Sequence, residues 1–348
     1  MRRPITPTLI AAALLAAVVP LAACGDGAAS GGGDPERKSL RLAYQAFPSG
    51  DLIVKNQQLL ERALPDYKIT WTKFDSGASI NTAFAAGSVD IAAIGSSPVA
   101  RGLSAPLNLP YKVAFVLDVA GDNEALVARN GTGVASVSDL RGKKIGTPFA
   151  STAHFSLLAA LEGAGVKESE VTLVDLEPQD ILAAWTRGDL DAAYSWLPSL
   201  DELKKTGKVL VSSRELATAG KPTLDLGVVS TAFADAHPEA VDAWRKAEAK
   251  ALDLIASDPT AAATAVGREL NLDTAVAQHQ LSQGVFLKPA DLASPEWLGS
   301  PDKVGALAEN LYNAAVFLKG QKKIDAIPDR SVFEAAIYTK GLPNVLQP

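Results

Sequence analysis

The sequence predicts an α/β protein of two lobes, each built on a β-sheet flanked by helices and joined to the other by a two-stranded hinge. Three observations predict it. Short β-prone runs alternate with longer helical runs in two successive series, the pattern of βαβ units. The chain has 348 residues, more than the roughly 250–300 at which a single hydrophobic core stops growing. Its composition, 47% apolar with a net charge of −6, supplies material for sizeable cores and excludes disorder and collagen-like repeats.

The first element is a leader. Arg2 and Arg3 give a positive end, residues 9–23 are almost purely apolar, and Leu21-Ala22-Ala23-Cys24 follows with small residues at the cut, the pattern of a signal peptide. The run is short of the roughly 20 residues that a membrane span needs, and Pro20 interrupts it. Removing residues 1–23 leaves 325 residues with 31 basic and 39 acidic side chains, a balance unsuited to nucleic acid. Cys24 is the single cysteine of the chain, so an internal disulfide is excluded. Residues 24–38 are Gly-rich and polar and form a flexible tether.

The first α/β series follows, with β-like runs at 40–44, 67–74 and 91–94 and helical runs at 52–64, 79–86 and 98–103. A second series runs through 144–146, 155–161, 171–176, 181–185, 192–196 and 209–211. Two β-prone segments, 122–129 and 223–230, separate the second series from its flanks and suit a hinge. From His237 the pattern is helical, with Val241, Trp244, Ala247, Ala251, Leu252 and Ile255 at spacings of three and four and a second such run at 304–317. His237 before Pro238 opens a helix. The expected organisation is a signal peptide at 1–23, a tether at 24–38, one lobe from 39–123 plus 228–348, and the other from 124–227.

Catalytic signatures are thin. The chain lacks Gly-x-Ser-x-Gly, His-Glu-x-x-His and a phosphate-binding Gly-x-x-x-x-Gly-Lys loop, so no catalytic residue and no cofactor are assigned. Gly131-Thr132-Gly133 lacks the third glycine of a dinucleotide loop and reads as a hairpin turn. His154, His237 and His279 lie far apart without partners at ligand spacing, so no metal site is assigned. What recurs is a hydroxyl-rich junction between strand and helix, at Ser76-Gly77, Ser96-Ser97-Pro98 and Ser151-Thr152-Ala153-His154. Each alone is a good helix cap. Three together at the carboxyl ends of parallel strands, where open α/β sheets bind ligands, favour an anion held by free N–H groups and the positive dipole end. Further along, Trp196 and Asp225 stand at strand ends, suited to an ammonium group through a ring face and a charge-assisted pair. A core tryptophan and a surface acid are the plain alternatives.

Several segments resemble a known family. Leu21-Ala22-Ala23-Cys24 resembles the lipobox of bacterial lipoproteins, which implies a lipid on Cys24 and attachment to the membrane. Segments 71–80, 95–98, 156–161, 183–189 and 222–225 resemble the taurine-binding periplasmic proteins of ABC importers, from about Leu40 to the last helix. The resemblance implies the type II periplasmic-binding-protein fold, two mixed sheets with a two-stranded hinge, acting as a monomer that captures one small ligand for a permease without chemical reaction. It also implies ligand contacts from Gln45, which matches the family's Tyr-Gln, and from Glu124 at the hinge. The stretch 46–50 departs from the taurine pattern and is placed to line the cleft. The resemblance implies taurine or a related sulfonate as ligand. Other aliphatic sulfonates, a thiamine-precursor pyrimidine, and a secreted lipoprotein enzyme are the alternatives.

Overall fold

The computed structural model describes residues 38–346. The signal span 1–23, Cys24 and the tether lie outside the described residues, except Lys38, which opens the first strand. Ten strands build two five-stranded sheets: β1 (Lys38–Gln45), β2 (Tyr67–Phe74), β3 (Ile91–Gly95), β4 (Tyr111–Val119), β5 (Glu124–Arg129), β6 (Lys144–Thr147), β7 (Thr172–Asp175), β8 (Ala192–Trp196), β9 (Gly207–Ser212) and β10 (Leu224–Ser230). The first sheet has the order β2-β1-β3-β10-β4 and the second β7-β6-β8-β5-β9.

The two sheets share one topology. In each, three parallel strands are followed by an antiparallel strand contributed by a segment that crosses between the sheets: β10 lies against β3 and β4, and β5 against β8 and β9. The segments 122–129 and 223–230 are thus mostly these inserted strands, which makes both sheets mixed. The crossings themselves are short, at 120–123 and 219–223, and the Ala120 N–H donates to the Thr223 carbonyl at 2.9 Å. Sheet membership therefore puts 224–227 with the first sheet.

Burial follows from helices covering both faces. β3 is buried at every residue, and β4 is buried at all but one, so these strands read as apolar runs rather than alternations. Along β5 successive side chains serve opposite faces of the second sheet, with Leu126 packed among Leu157 and Tyr194, and Val127 among Ile181 and Ala193. The Pro238–Ser257 helix, opened by His237, lies so close to the first sheet that a Cβ on Gly227 would sit 2.3 Å from the Trp244 ring. One turn of its buried face carries Arg245, wholly inaccessible to solvent, whose guanidinium donates to the carbonyls of Ala114, Tyr338 and Lys340 and stacks on the Tyr338 ring at 4.5 Å. Arg245 ties the end of the chain to β4.

Three local expectations are corrected. The helical run 52–64 is two helices, Gly50–Asn56 and Leu59–Ala63, because the chain turns through a left-handed Gln58 (φ 52°). The run 304–317 starts later, as Leu307–Gly320, because Val304 joins a small hairpin and Gly305 passes the Trp297 carbonyl closely, a Cβ there meeting it at 2.2 Å. Gly131-Thr132-Gly133 is a turn but not a hairpin, since β5 pairs with β8 and β9 and not with β6.

Candidate ligand cleft

In each sheet the second and third parallel strands lie on opposite sides of the first, which leaves a crevice at the strands' carboxyl ends. The two crevices face one another. Between them is a cleft lined by Gln45, Phe47, Pro48, Gly77, Gly95, Pro98, Ala120, Asn123, Glu124, Ser151, Thr152, Trp196, Leu197 and Asp225. Seven residues expected to bind ligand meet there: Gln45 at the end of β1, Gly77 after β2, Glu124 opening β5, Ser151 and Thr152 after β6, Trp196 ending β8, and Asp225 in β10. Phe47 and Pro48 belong to the divergent stretch after Gln45.

Four expected residues are placed otherwise. Ser76 occupies the N-cap position of the Gly77–Ala85 helix and is buried, outside the cleft lining. Ser96 and Ser97 face a second cavity, beside Phe155, Pro222 and Phe317, where the Ser96 hydroxyl accepts the Leu224 N–H at 3.2 Å. The Ser97 hydroxyl is buried and has no hydrogen-bond partner among the described residues. His154 also stands outside the lining. Its Nδ1 accepts the Ala150 N–H at 3.1 Å, and its ring stacks on Phe149 at 4.6 Å. Burial, aided by the charge of Lys323, lowers its imidazole to about 4, so it is a neutral brace for the left-handed Ala150 (φ 60°).

The starts of two helices of eight residues or more, Gly77–Ala85 and Thr152–Gly163, open on the cleft, and so do Gly95 and Pro98 of a third, shorter helix. Their hydroxyls are mostly committed. Ser151 Oγ accepts the His154 N–H at 3.1 Å and donates to the Pro148 carbonyl at 2.6 Å, and Thr152 Oγ1 donates to Glu124 at 2.5 Å. What these starts offer an anion is therefore backbone N–H and helix dipole. The approach is close because the residues are small: a Cβ on Gly77 would lie 2.5 Å from Pro98 Cγ, and one on Gly95 would lie 2.8 Å from Thr152 Cγ2 across the cleft.

Groups of the opposite character line the same cleft. Glu124 is 3% exposed and accepts from four hydroxyls, those of Thr152, Ser213, Ser156 and Thr223. Burial pushes its carboxyl above the usual range while those donors, Thr152 first, pull it back. In the β5–β8 register Glu124 lies opposite Trp196. Asp225 is half-buried, and its register partners are Gly95 on β3 and Asp118 on β4. Its Oδ1 would lie 3.7 Å from a Gly95 Cβ, so Asp225 and the helix start at Gly95 are only a few atoms apart.

Asp118 was missed in the sequence. It is wholly buried, and neither carboxyl oxygen has a hydrogen-bond donor among the described residues. The available signal was an acid inside the apolar run Val113-Ala114-Phe115-Val116-Leu117-Asp118-Val119, which is costly there without a specific role. Among the described residues no group of three His, Cys, Asp or Glu side chains is placed to hold a metal ion.

Residues 73–262 match the family described as NMT1/THI5 like. The chain is 47% identical over 178 residues to the taurine-binding periplasmic protein of Escherichia coli, a match covering 51% of this chain and 54% of that one. It is 30% identical over 245 residues to a putative aliphatic sulfonates-binding protein of Bacillus subtilis, covering 69% and 71%. The match thus spans about half the length of the E. coli relative. Among solved structures the fold is shared with the alkanesulfonate-binding protein of Xanthomonas axonopodis pv. citri bound to MOPS, at a TM-score of 0.73 and 22% identity, over 87% of this chain and 99% of that one. The family match covers more than half of the chain and includes the residues of the cleft from Gly77 to Asp225, and on that ground the chain belongs to the NMT1/THI5-like family.

Proposed function

We propose that the protein is the solute-capture component of an ABC importer and that its ligand is taurine or a closely related short aminated sulfonate. One observation carries the reading: a single cleft is lined both by helix starts, at Gly77, at Gly95 and Pro98, and at Ser151 and Thr152, and by Asp225, Glu124 and Trp196, with Asp225 a few atoms from the start at Gly95. That spacing suits a ligand whose anionic and ammonium groups are separated by a two-carbon link. The E. coli and B. subtilis relatives, whose names state taurine and aliphatic sulfonates, support the same class.

Affinity requires both walls. An anion at one helix start gains about 0.3–2 kcal/mol and a charged hydrogen bond about 1.5–3, while micromolar binding needs about 8. No single contact suffices. Two lobes built on the two sheets, moving about the crossings at 120–123 and 219–223, would close both walls on the ligand, and the ligand's differential affinity would favour that closed state. The leader and Cys24 support export and a lipid anchor on the outer face of the membrane, with the permease as partner and the protein acting as a monomer.

The test is a thermal-shift screen of sulfonates, amino acids and pyrimidines, with the ligands recovered intact afterwards. Ligand at a hundred times its Kd stabilises by about 2.7 kcal/mol. Taurine is expected to give the largest shift without being consumed, and a pyrimidine or an amine-free sulfonate leading the series would overturn the reading.

A further inference from the structure

The cleft has more acid than a sulfonate site should tolerate. Asp118 and Asp225 are register partners on the antiparallel strands β4 and β10, a placement that brings Cβ atoms to about 4.5–5.5 Å on one face of the sheet. Asp118 has no access to solvent and no donor for either oxygen among the described residues, while Asp225 opens into the cleft. The other charged groups facing the pair are carboxyls as well: Glu124 from β5, and Asp51 from the Gly50–Asn56 helix. Behind Asp51 stands Glu248 of the Pro238–Ser257 helix, which accepts the Trp244 indole N–H at 3.0 Å. Lys55, one turn on from Asp51, is engaged with Glu269.

Two bare carboxylates so placed repel one another and repel any anion entering beside Gly95. A proton between them removes both penalties, since one member becomes a donor to the other and the net charge falls by one. Glu124, with its four hydroxyl donors, needs no proton. We propose that Asp118 and Asp225 hold one proton between them in the ligand-free protein and that the ammonium group of an aminated ligand displaces it, so that Asp118 sets the specificity of the cleft from behind Asp225. The inference rests on the ligand reading above. The charges balance: a carboxylic acid and an ammonium become a carboxylate–ammonium pair, and one proton leaves for solvent. An amine-free sulfonate binds with the proton retained.

The direction of pH dependence follows. Burial pushes Asp118 up to about 7, hydrogen bonding to Asp225 pulling it back and the charges of Asp51 and Glu124 adding to the rise, and burial and the Asp118 charge push Asp225 well above the carboxylate range. Where the free pair holds the proton and the bound pair does not, affinity for an aminated ligand rises with pH, by at most about tenfold per unit. The rise ends where the free pair loses its proton, and ethanesulfonate shows no such rise.

The experiment is titration calorimetry of the mature chain with taurine at pH 6.5 in buffers of different ionisation heat. The observed heat should vary with buffer in proportion to about one proton released per taurine, and with ethanesulfonate it should not vary. Heat independent of buffer, with taurine bound, would overturn the proposal. Asp118→Asn should give a pH-independent taurine affinity, and a variant that kept the wild-type pH profile would equally overturn it. Infrared difference spectra guard against a variant that fails to fold. Ligand-free wild-type protein at pH 6 should show a protonated carboxylic C=O band that taurine bleaches. Absence of the band refutes the shared proton, whereas a band in a protein that yields no heat with taurine refutes the ligand reading instead.

Discussion

Gly95 is the point at which one side chain would hold the two walls apart. Its backbone (φ −65°, ψ 152°) is open to any residue, so Gly95→Ala introduces no strain of its own. The added Cβ would lie 2.8 Å from Thr152 Cγ2. Carbon atoms pack at about 3.5–4.0 Å, so the Thr152 wall must retreat by about 1 Å. The retreat loosens the N–H groups at that helix start against those around Gly77. Charged hydrogen bonds contribute about 1.5–3 kcal/mol each, and halving two of them loses about ten- to a hundredfold in affinity. Titration calorimetry with taurine reads the loss directly. Thr152→Ser in the Gly95→Ala background removes Cγ2 and keeps the hydroxyl that donates to Glu124, so the double variant should recover most of the affinity, a coupling visible in a double-mutant cycle. Wild-type affinity in Gly95→Ala would refute the reasoning, as would a double variant no better than the single.

Asp225→Asn should weaken taurine by at least about tenfold and ethanesulfonate by less than about threefold, because it removes the partner of the ammonium alone; equal weakening in a protein with unchanged circular dichroism would make the acid structural. Arg245→Met leaves the carbonyls of Ala114, Tyr338 and Lys340 without their donor. Each costs about 1–3 kcal/mol, part of it offset by the relieved desolvation of the guanidinium, so a net loss of about 2–4 kcal/mol is expected in urea unfolding, and a loss below about 1 would contradict the account of the chain end. Cys24→Ser should move the protein from the membrane fraction to the soluble one with taurine affinity retained, and continued membrane retention would remove the lipid anchor from the proposal.

Much of the fold was legible because it rests on local pattern. The alternation of β-prone and helical runs gives the strands directly, and the position of small hydroxyl residues after β2, β3 and β6 marks the carboxyl ends where the cleft forms. What was not legible depends on pairing between distant segments. The hinge segments could be seen to be β-prone, but nothing local says that β5 and β10 insert antiparallel into opposite sheets. Ser96 and Ser97 were indistinguishable in sequence from Ser151, yet the short helix they begin turns its hydroxyls to the far side, and Gly95 and Pro98 face the cleft in their place. Asp118 acquires its meaning from Asp225, more than a hundred residues later, through a cross-strand register that no spacing records.

The central claim, that the cleft reads both ends of an aminated sulfonate, is tested most directly by comparing taurine with ethanesulfonate on the unmodified protein by titration calorimetry. The two ligands share the sulfonate and the two-carbon body and differ in the amine. Taurine should bind at least tenfold more tightly, which is about 1.4 kcal/mol and less than one lost charged contact. Equal affinities, or tighter binding of ethanesulfonate, would contradict the account and leave Asp225 and Trp196 without a role in choosing the ligand.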